Sequence, residues 1–266
     1  MKNNKINIAL IQTDLVWENT QANLAKFDVL LKDITSETEI IIFPEVFTTG
    51  FALEPSKFEQ PVGQKAFEWL KDKAKSLNKI IVASVIFEEN KNYLNRLFWM
   101  RPDGSFEYYD KRHLFQMGGE HKVMTAGDKP KIVSYKGVKF NLQVCYDLRF
   151  PVWAKNNYDK ESNTHDYDVL LYIANWPNVR KQTYMTLLKA RAIENQAYVI
   201  WVNRVGVDAH EVSFSGDSLL VDPIGVIQDQ VPENKETILY TEIDLEKLAV
   251  LRRGFKVGLD WDKFTV

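Results

Sequence analysis

One cysteine, one glutamate and one lysine carry the reactive chemistry this sequence offers. Cys145 is the only cysteine in the chain. It follows the apolar, strand-like run Val138–Val144 and precedes Tyr146-Asp147-Leu148-Arg149-Phe150-Pro151. At a strand end with a helix expected behind it, a thiol faces backbone N–H groups and a helix N-terminus, both of which favour the thiolate. The alternative is a small buried hydrophobe, the usual fate of a free cysteine. Glu45 sits in Phe43-Pro44-Glu45-Val46-Phe47, just after an apolar run. A carboxylate shielded from water there suits general-base work, although a solvated loop glutamate reads the same way. Lys111 ends a strand-like segment in Tyr109-Asp110-Lys111-Arg112-His113-Leu114 and, taken alone, reads as a surface lysine.

Together the three residues mean more. A cysteine with no histidine beside it needs another base, and a carboxylate can serve. Attack on an acyl carbon creates an oxyanion, and a lysine ammonium can stabilise it while also orienting the glutamate.

Phe43-Pro44-Glu45, Lys111-Arg112-His113-Leu114 and Cys145-Tyr146-Asp147-Leu148-Arg149-Phe150-Pro151 resemble the three signature segments of the nitrilase, or carbon–nitrogen hydrolase, superfamily, in the family's order. The resemblance spans residues 6–253. It implies Glu45 as general base, Lys111 as stabiliser of the tetrahedral intermediate, Cys145 as nucleophile, and Glu120 as the family's second glutamate, positioning Lys111 or the substrate. It also implies an oxyanion hole that combines Lys111 with the Tyr146 N–H. The segments Ala-Asn-Trp-Pro (174–177) and Lys-Ala-Arg-Ala-Ile-Glu-Asn-Gln-Ala-Tyr (189–198), with the cysteine segment, look most like the ω-amidase branch. That branch hydrolyses the terminal amide of small dicarboxylate monoamides of the 2-oxoglutaramate or succinamate type, through a thioester. A nitrilase, an N-carbamoyl amino acid amidohydrolase or a catalytically silent interaction protein on the same fold are the alternatives. With no synthetase or transmembrane region in view, glutamine-dependent NAD synthetases and membrane acyltransferases are not expected.

A carboxylated substrate needs a cation, and Arg112, Lys122, Arg149 and Arg204 each lie near a motif. Arg149 is the expected substrate contact. Phe47, Phe115, Tyr146 and Trp176 are expected as aromatic pocket walls, limiting the acyl chain to about five carbons.

The elements that position these groups follow from hydrophobic periodicity. Strands are expected at 6–12, 39–43, 80–87, 93–100, Phe106–Asp110, 131–135, Val138–Val144, Val169–Ala174, 197–203 and 238–243, with a hairpin over 218–228. Helices are expected at 18–33, Gln64–Leu77, 150–158, Lys181–Asn195 and 245–252, with loop or short helical structure over 114–128 and a surface loop over 159–168. Two strand–helix halves with similar order, and no Gly/Ser/Pro-rich linker, predict one α/β domain over residues 1–266. The family resemblance makes it a four-layer αββα sandwich with an internal pseudo-twofold axis, assembled as a homodimer or larger homo-oligomer.

The remaining composition excludes more than it assigns. Thirty-four Lys and Arg against 36 Asp and Glu give a net charge of −2, which offers no basic surface for nucleic acid. No apolar run approaches the roughly 20 residues of a membrane span. The lysine-bearing start, Met1–Lys5, is followed by an apolar stretch broken at Asn7 and Gln12, so no signal peptide is expected and the cytoplasm is the expected location. The four histidines lack ligand spacing, so no metal and no cofactor are expected; the partners are a small-molecule amide and water.

Overall fold

The computed structural model describes residues 5–263. Met1–Asn4, where the sequence was read for a signal peptide, lie outside the described residues, as do 264–266. In the first half the order is β1 (Lys5–Gln12), α1 (Thr20–Leu30), β2 (Ile40–Ile42), α2 (Gln64–Leu77), β3 (Ile80–Glu89), β4 (Asn92–Met100) and β5 (Phe106–Asp110). The second half runs β6 (Ile132–Tyr135), β7 (Val138–Val144), a small hairpin of β8 (Tyr158–Asp159) and β9 (Thr164–His165), β10 (Val169–Ala174), α3 (Lys181–Asn195) and β11 (Tyr198–Asn203). It closes with β12 (Val205–Val207), β13 (Ser213–Ser215), β14 (Leu219–Val221), β15 (Ile227–Gln230), β16 (Thr237–Asp244) and α4 (Leu245–Gly254).

Two six-stranded sheets result, ordered β16-β1-β2-β3-β4-β5 and β6-β7-β10-β11-β14-β15. Each has a parallel centre of three strands, β1-β2-β3 or β7-β10-β11. Each centre carries one antiparallel strand on one side, β16 or β6, and two on the other. The halves therefore match strand for strand, and α2 and α3 are equivalent crossovers. This is the pseudo-twofold expected from the sequence.

Side-chain alternation builds the layers. Ile8, Leu10, Ile40, Ile42 and Val82 face the second sheet and join Phe140, Leu142, Leu171 and Ile173 in one core. Trp99 meets Phe140 across the two sheets with ring centroids 5.0 Å apart. The intervening residues, Ala9, Ile11, Ile41, Ile81 and Ala83, face outward and pack under Leu24 and Phe27 of α1 and Leu70 and Ala74 of α2. On the far side, Tyr184, Leu188 and Ala192 of α3 cover the second sheet. An αββα sandwich is the outcome.

The equivalence breaks between β7 and β10, where the helix expected over 150–158 does not form. Pro151 to Ala154 make turns, and the chain then enters the β8–β9 hairpin. Asn156 explains part of this. Its Nδ2 donates to Tyr167 O at 3.0 Å and Asn195 O at 3.1 Å, and its N–H donates to Asn195 Oδ1 at 2.8 Å, so side-chain bonds replace a helical ladder. The surface loop expected over 159–168 holds that hairpin. The helix expected over 18–33 starts later, at Thr20 with Asn19 as its cap, and tightens into a 3₁₀ turn at Leu31–Asp33. The β12–β13 pair was not foreseen; its three-residue strands are too short to show a period.

Candidate active site

The reactive groups are held at strand ends, where chain direction is fixed by sheet pairing. Beyond β2, Phe43 and Phe47 donate backbone N–H bonds to Val82 and Ser84 of β3, and Val46 N–H donates to Ser84 Oγ at 2.8 Å. This bracket fixes Glu45, whose side chain is fully buried. Beyond β5, Lys111 N–H donates to Asn95 O of β4, and Gly127 N–H returns to Lys111 O at 2.9 Å. Gly127 has to be glycine for this approach, because a Cβ there would lie 2.1 Å from Asp110 O. At the end of β7, Cys145 opens a 3₁₀ turn, Cys145–Arg149, with a left-handed φ of 46°. For a residue with a side chain that backbone is strained.

The three strand ends, together with Glu120 from the loop after β5, converge. Lys111 Nζ donates to Glu45 Oε1 at 2.9 Å and to Glu120 Oε1 and Oε2 at 3.0 and 2.9 Å. Glu45 Oε1 also accepts from Asn95 Nδ2 at 2.8 Å, and Oε2 from the Asn175 N–H at 2.8 Å. Glu120 Oε2 accepts from the Phe115 N–H at 2.6 Å. Both glutamates and the lysine are fully buried or nearly so.

Two carboxylates around one ammonium leave the cluster short of positive charge, and the proton affinities follow. For Lys111, burial opposes the ammonium, but Glu120 and Glu45 outweigh it and hold the pKa well above the usual lysine value. Burial, with the charge of Glu45, pushes the Glu120 carboxyl up against the pull of Lys111. Burial and the charge of Glu45 push Cys145 well above an ordinary cysteine, while the charge of Lys111 pulls more weakly the other way. The helix-stabilised thiolate expected from sequence is thus corrected. Only one 3₁₀ turn follows Cys145, and the surrounding field favours the neutral thiol.

Lys111 and Cys145 reach the floor of a cavity of about 690 Å³. Phe115, Tyr146 and Trp176 form walls as expected, with Phe115 and Tyr146 meeting edge to face at 5.2 Å. Arg149 also lines it, its guanidinium 5.2 Å from the Trp176 ring centroid. Phe47 does not. It is wholly buried in the core under α1 and α2, against Phe27, Phe43 and Trp69. Three further cations near the motifs also lie elsewhere. Arg112 is exposed and donates to Gly127 O at 3.2 Å. Lys122 points to solvent. Arg204 is buried against Asp14 at 2.5 Å. A cavity of this size falls within the range for drug-sized ligands, so its walls do not impose the five-carbon limit.

Sequence reasoning missed several contributors. Asn95 and Asn175 hold Glu45; each is a buried polar residue at or beside an apolar strand, which is the signal that marks them. Arg180, in the 3₁₀ turn before α3, also lines the cavity, 5.4 Å from the Phe115 ring centroid. Among the described residues neither Arg149 nor Arg180 has a carboxylate within ion-pair distance. Trp17, Phe51 and Phe214 complete the aromatic lining. Among the described residues no three His, Cys, Asp or Glu gather as a metal site, and no helix is long and apolar enough to cross a membrane.

Comparison with known proteins places this geometry. The carbon–nitrogen hydrolase family model matches residues 7–253. The chain is 42% identical to an omega-amidase YafV from Yersinia enterocolitica, over 97% of this chain and 98% of that one. It is 32% identical to a 2-oxoglutaramate amidase from Bacillus subtilis, over 95% and 96% respectively. Among solved structures, XC1258 from Xanthomonas campestris, a CN-hydrolase superfamily protein with an arsenic adduct in its active site, superposes with a TM-score of 0.94 at 39% identity, covering 98% of this chain and 99% of that one. With a lysine, a glutamate and a cysteine at its strand ends meeting a second glutamate from a loop, this chain belongs to the carbon–nitrogen hydrolase family, in its ω-amidase-like branch, and is an amide hydrolase.

Proposed function

We propose that the enzyme hydrolyses the terminal amide of a small dicarboxylate monoamide, of the 2-oxoglutaramate or succinamate type, through a thioester on Cys145. The observation that carries this reading is the buried Glu45–Lys111–Glu120 cluster beside Cys145, at the floor of a cavity whose wall presents two arginines without carboxylate partners. Glu45 takes the thiol proton as Sγ attacks the amide carbon. The carbonyl electrons move onto oxygen, where Lys111 and the Tyr146 N–H stabilise them. Collapse expels ammonia, which carries the proton from Glu45, and leaves the thioester. Glu45 then takes a proton from water, the water oxygen attacks the thioester, and the acid leaves as the thiol is restored. Glu120 keeps Lys111 in place throughout.

Arg149 binds the far carboxylate, and Arg180 stands beside the same route. The names of the two curated relatives support this substrate class. The reading extends to a single catalytic domain over residues 1–266, a homodimer or larger homo-oligomer, and the cytoplasm. The test compares ammonia release from 2-oxoglutaramate and succinamate with that from neutral isosteres of equal length. A kcat/KM at least tenfold higher for the carboxylated amides is expected, and an Arg149→Gln variant should lose that preference. Equal or better turnover of the neutral compounds would overturn the substrate assignment.

A further inference from the structure

Asp147 lies two residues beyond Cys145 and is fully buried, and its hydrogen bonds go to none of the four clustered side chains. Its two oxygens accept four hydrogen bonds. Oδ2 takes the Val144 N–H at 2.9 Å and the Tyr109 hydroxyl at 2.8 Å. Oδ1 takes the His113 N–H at 3.0 Å and pairs with His113 Nδ1 at 2.7 Å.

These donors come from the two chain segments whose spacing sets the chemistry. Val144 immediately precedes Cys145, and Tyr109 and His113 flank Lys111 at two residues on either side. The Tyr109 oxygen itself accepts from the Arg112 N–H at 3.2 Å and from Trp153 Nε1 at 2.9 Å, so the tie is braced. Burial and the adjacent Asp147 push the Tyr109 hydroxyl well above the usual tyrosine range, which keeps its donor proton in place. His113 is fixed in turn by stacking on Phe150, with centroids 3.7 Å apart and planes 7° from parallel. Cys145 meanwhile holds a strained left-handed backbone that its own side chain does not stabilise.

We infer that Asp147 is a positioning residue: with His113 it clamps the left-handed Cys145 turn to the Lys111 loop and so sets the distance between nucleophile and oxyanion stabiliser. This rests on the roles proposed for Cys145 and Lys111. The partners of Asp147, namely Val144, Tyr109 and His113, do not line the cavity, so the clamp bears on kcat far more than on KM. Asparagine at 147 keeps one acceptor oxygen but turns an NH₂ group onto the Val144 N–H, leaving two donors opposed.

The experiment measures kcat, KM, Tm and the iodoacetamide inactivation rate for wild type, Asp147→Asn and His113→Phe. The phenylalanine keeps the stack on Phe150 and removes the Nδ1 contact at a partly exposed position. A misplacement on the order of 1 Å costs about 100-fold, so Asp147→Asn should lose about 30- to 100-fold in kcat with KM within about twofold. His113→Phe should lose about three- to tenfold with the same signature. Alkylation of Cys145 should change in rate in both variants. If Asp147→Asn does not fold, His113→Phe decides alone. Loss confined to KM, or folded variants within about twofold of wild-type kcat, would overturn the clamp. Wild-type enzyme that remains active after full alkylation of its one cysteine would instead overturn the role of Cys145 itself.

Discussion

Glu45 and Asn175 stand just beyond matching strands of the two halves, β2 and β10, and are bonded to each other twice. The Asn175 N–H reaches Glu45 Oε2 at 2.8 Å, and its Nδ2 reaches Glu45 O at 2.6 Å. The segment after β2 supplies a carboxylate, and the segment after its counterpart β10 supplies the amide that holds it. The pseudo-twofold is therefore used chemically, with the same strand ends meeting across the sandwich.

Asn175→Ala should consequently weaken turnover without emptying the site. The backbone donor to Glu45 survives, and only the side-chain bond is lost, worth about 1 kcal/mol or about fivefold. The expected result is a kcat reduced by roughly that factor with a small fall in Tm. A rise in KM alone would instead make Asn175 a substrate contact.

Lys111→Ala and Glu45→Gln should each be far more severe. An oxyanion partner contributes about 10²–10³-fold and a general base about 10²–10⁴-fold. Lys111→Arg should not restore the rate, because a planar fork cannot match three contacts made by a compact ammonium in a closed space. Steady-state kinetics with ammonia detection checks all three. A Lys111→Ala enzyme within tenfold of wild type would contradict the assignment.

Cys145→Ala should abolish turnover and leave the fold intact. The raised proton affinity of Cys145 makes a second, pH-dependent expectation. Since the neutral thiol is favoured, uncatalysed alkylation should accelerate as pH rises through and beyond the ordinary thiol value of 9.0. Hydrolysis near neutrality should not share that rise if, as proposed, Glu45 removes the proton during attack. Alkylation already at its plateau at pH 7 would show a resting thiolate and contradict the structure.

His165 offers a test of stability away from the site. Burial, followed by the charges of Arg252 and Lys139, lowers its pKa from 6.5 to about 4. Below pH 6.5 the unfolded chain takes up a proton that the folded one refuses, so the contribution present above pH 6.5 is lost as pH falls towards 4. Tm should decline over that window, and His165→Gln should flatten the decline. An unchanged pH profile in the variant would remove His165 from the account.

The sequence exposed those parts of the molecule that depend on local period and local motif. Strands such as Val169–Ala174 are apolar throughout because both faces are covered, and Lys181–Asn195 keeps a helical period, so both were legible. Glu45, Lys111, Cys145 and Glu120 were found by motif, and the structure brings them together. Phe47 was misjudged because it lies in a turn beyond β2, where nearness to Glu45 in sequence does not decide whether an aromatic enters the cavity or the core under α1 and α2. Residues 150–158 carry helix-compatible spacing, but Asn156 draws its bonds from Tyr167 and Asn195, which lie far along the chain. Arg180 was missed because it belongs to no motif and reaches the cavity only through the turn before α3.

The buried cluster and the cavity-lining arginines are anchored differently. Glu45 and Lys111 are tied into sheet hydrogen bonding, whereas Arg149 ends a one-turn helix and Arg180 a connecting turn. Arg149 shares its turn with Cys145, whereas Arg180 does not, so substitution at position 180 can reshape the cavity without shifting the atoms of the nucleophile turn. Such a scaffold can diversify: new specificities arise at its rim while the inherited reaction stays untouched beneath.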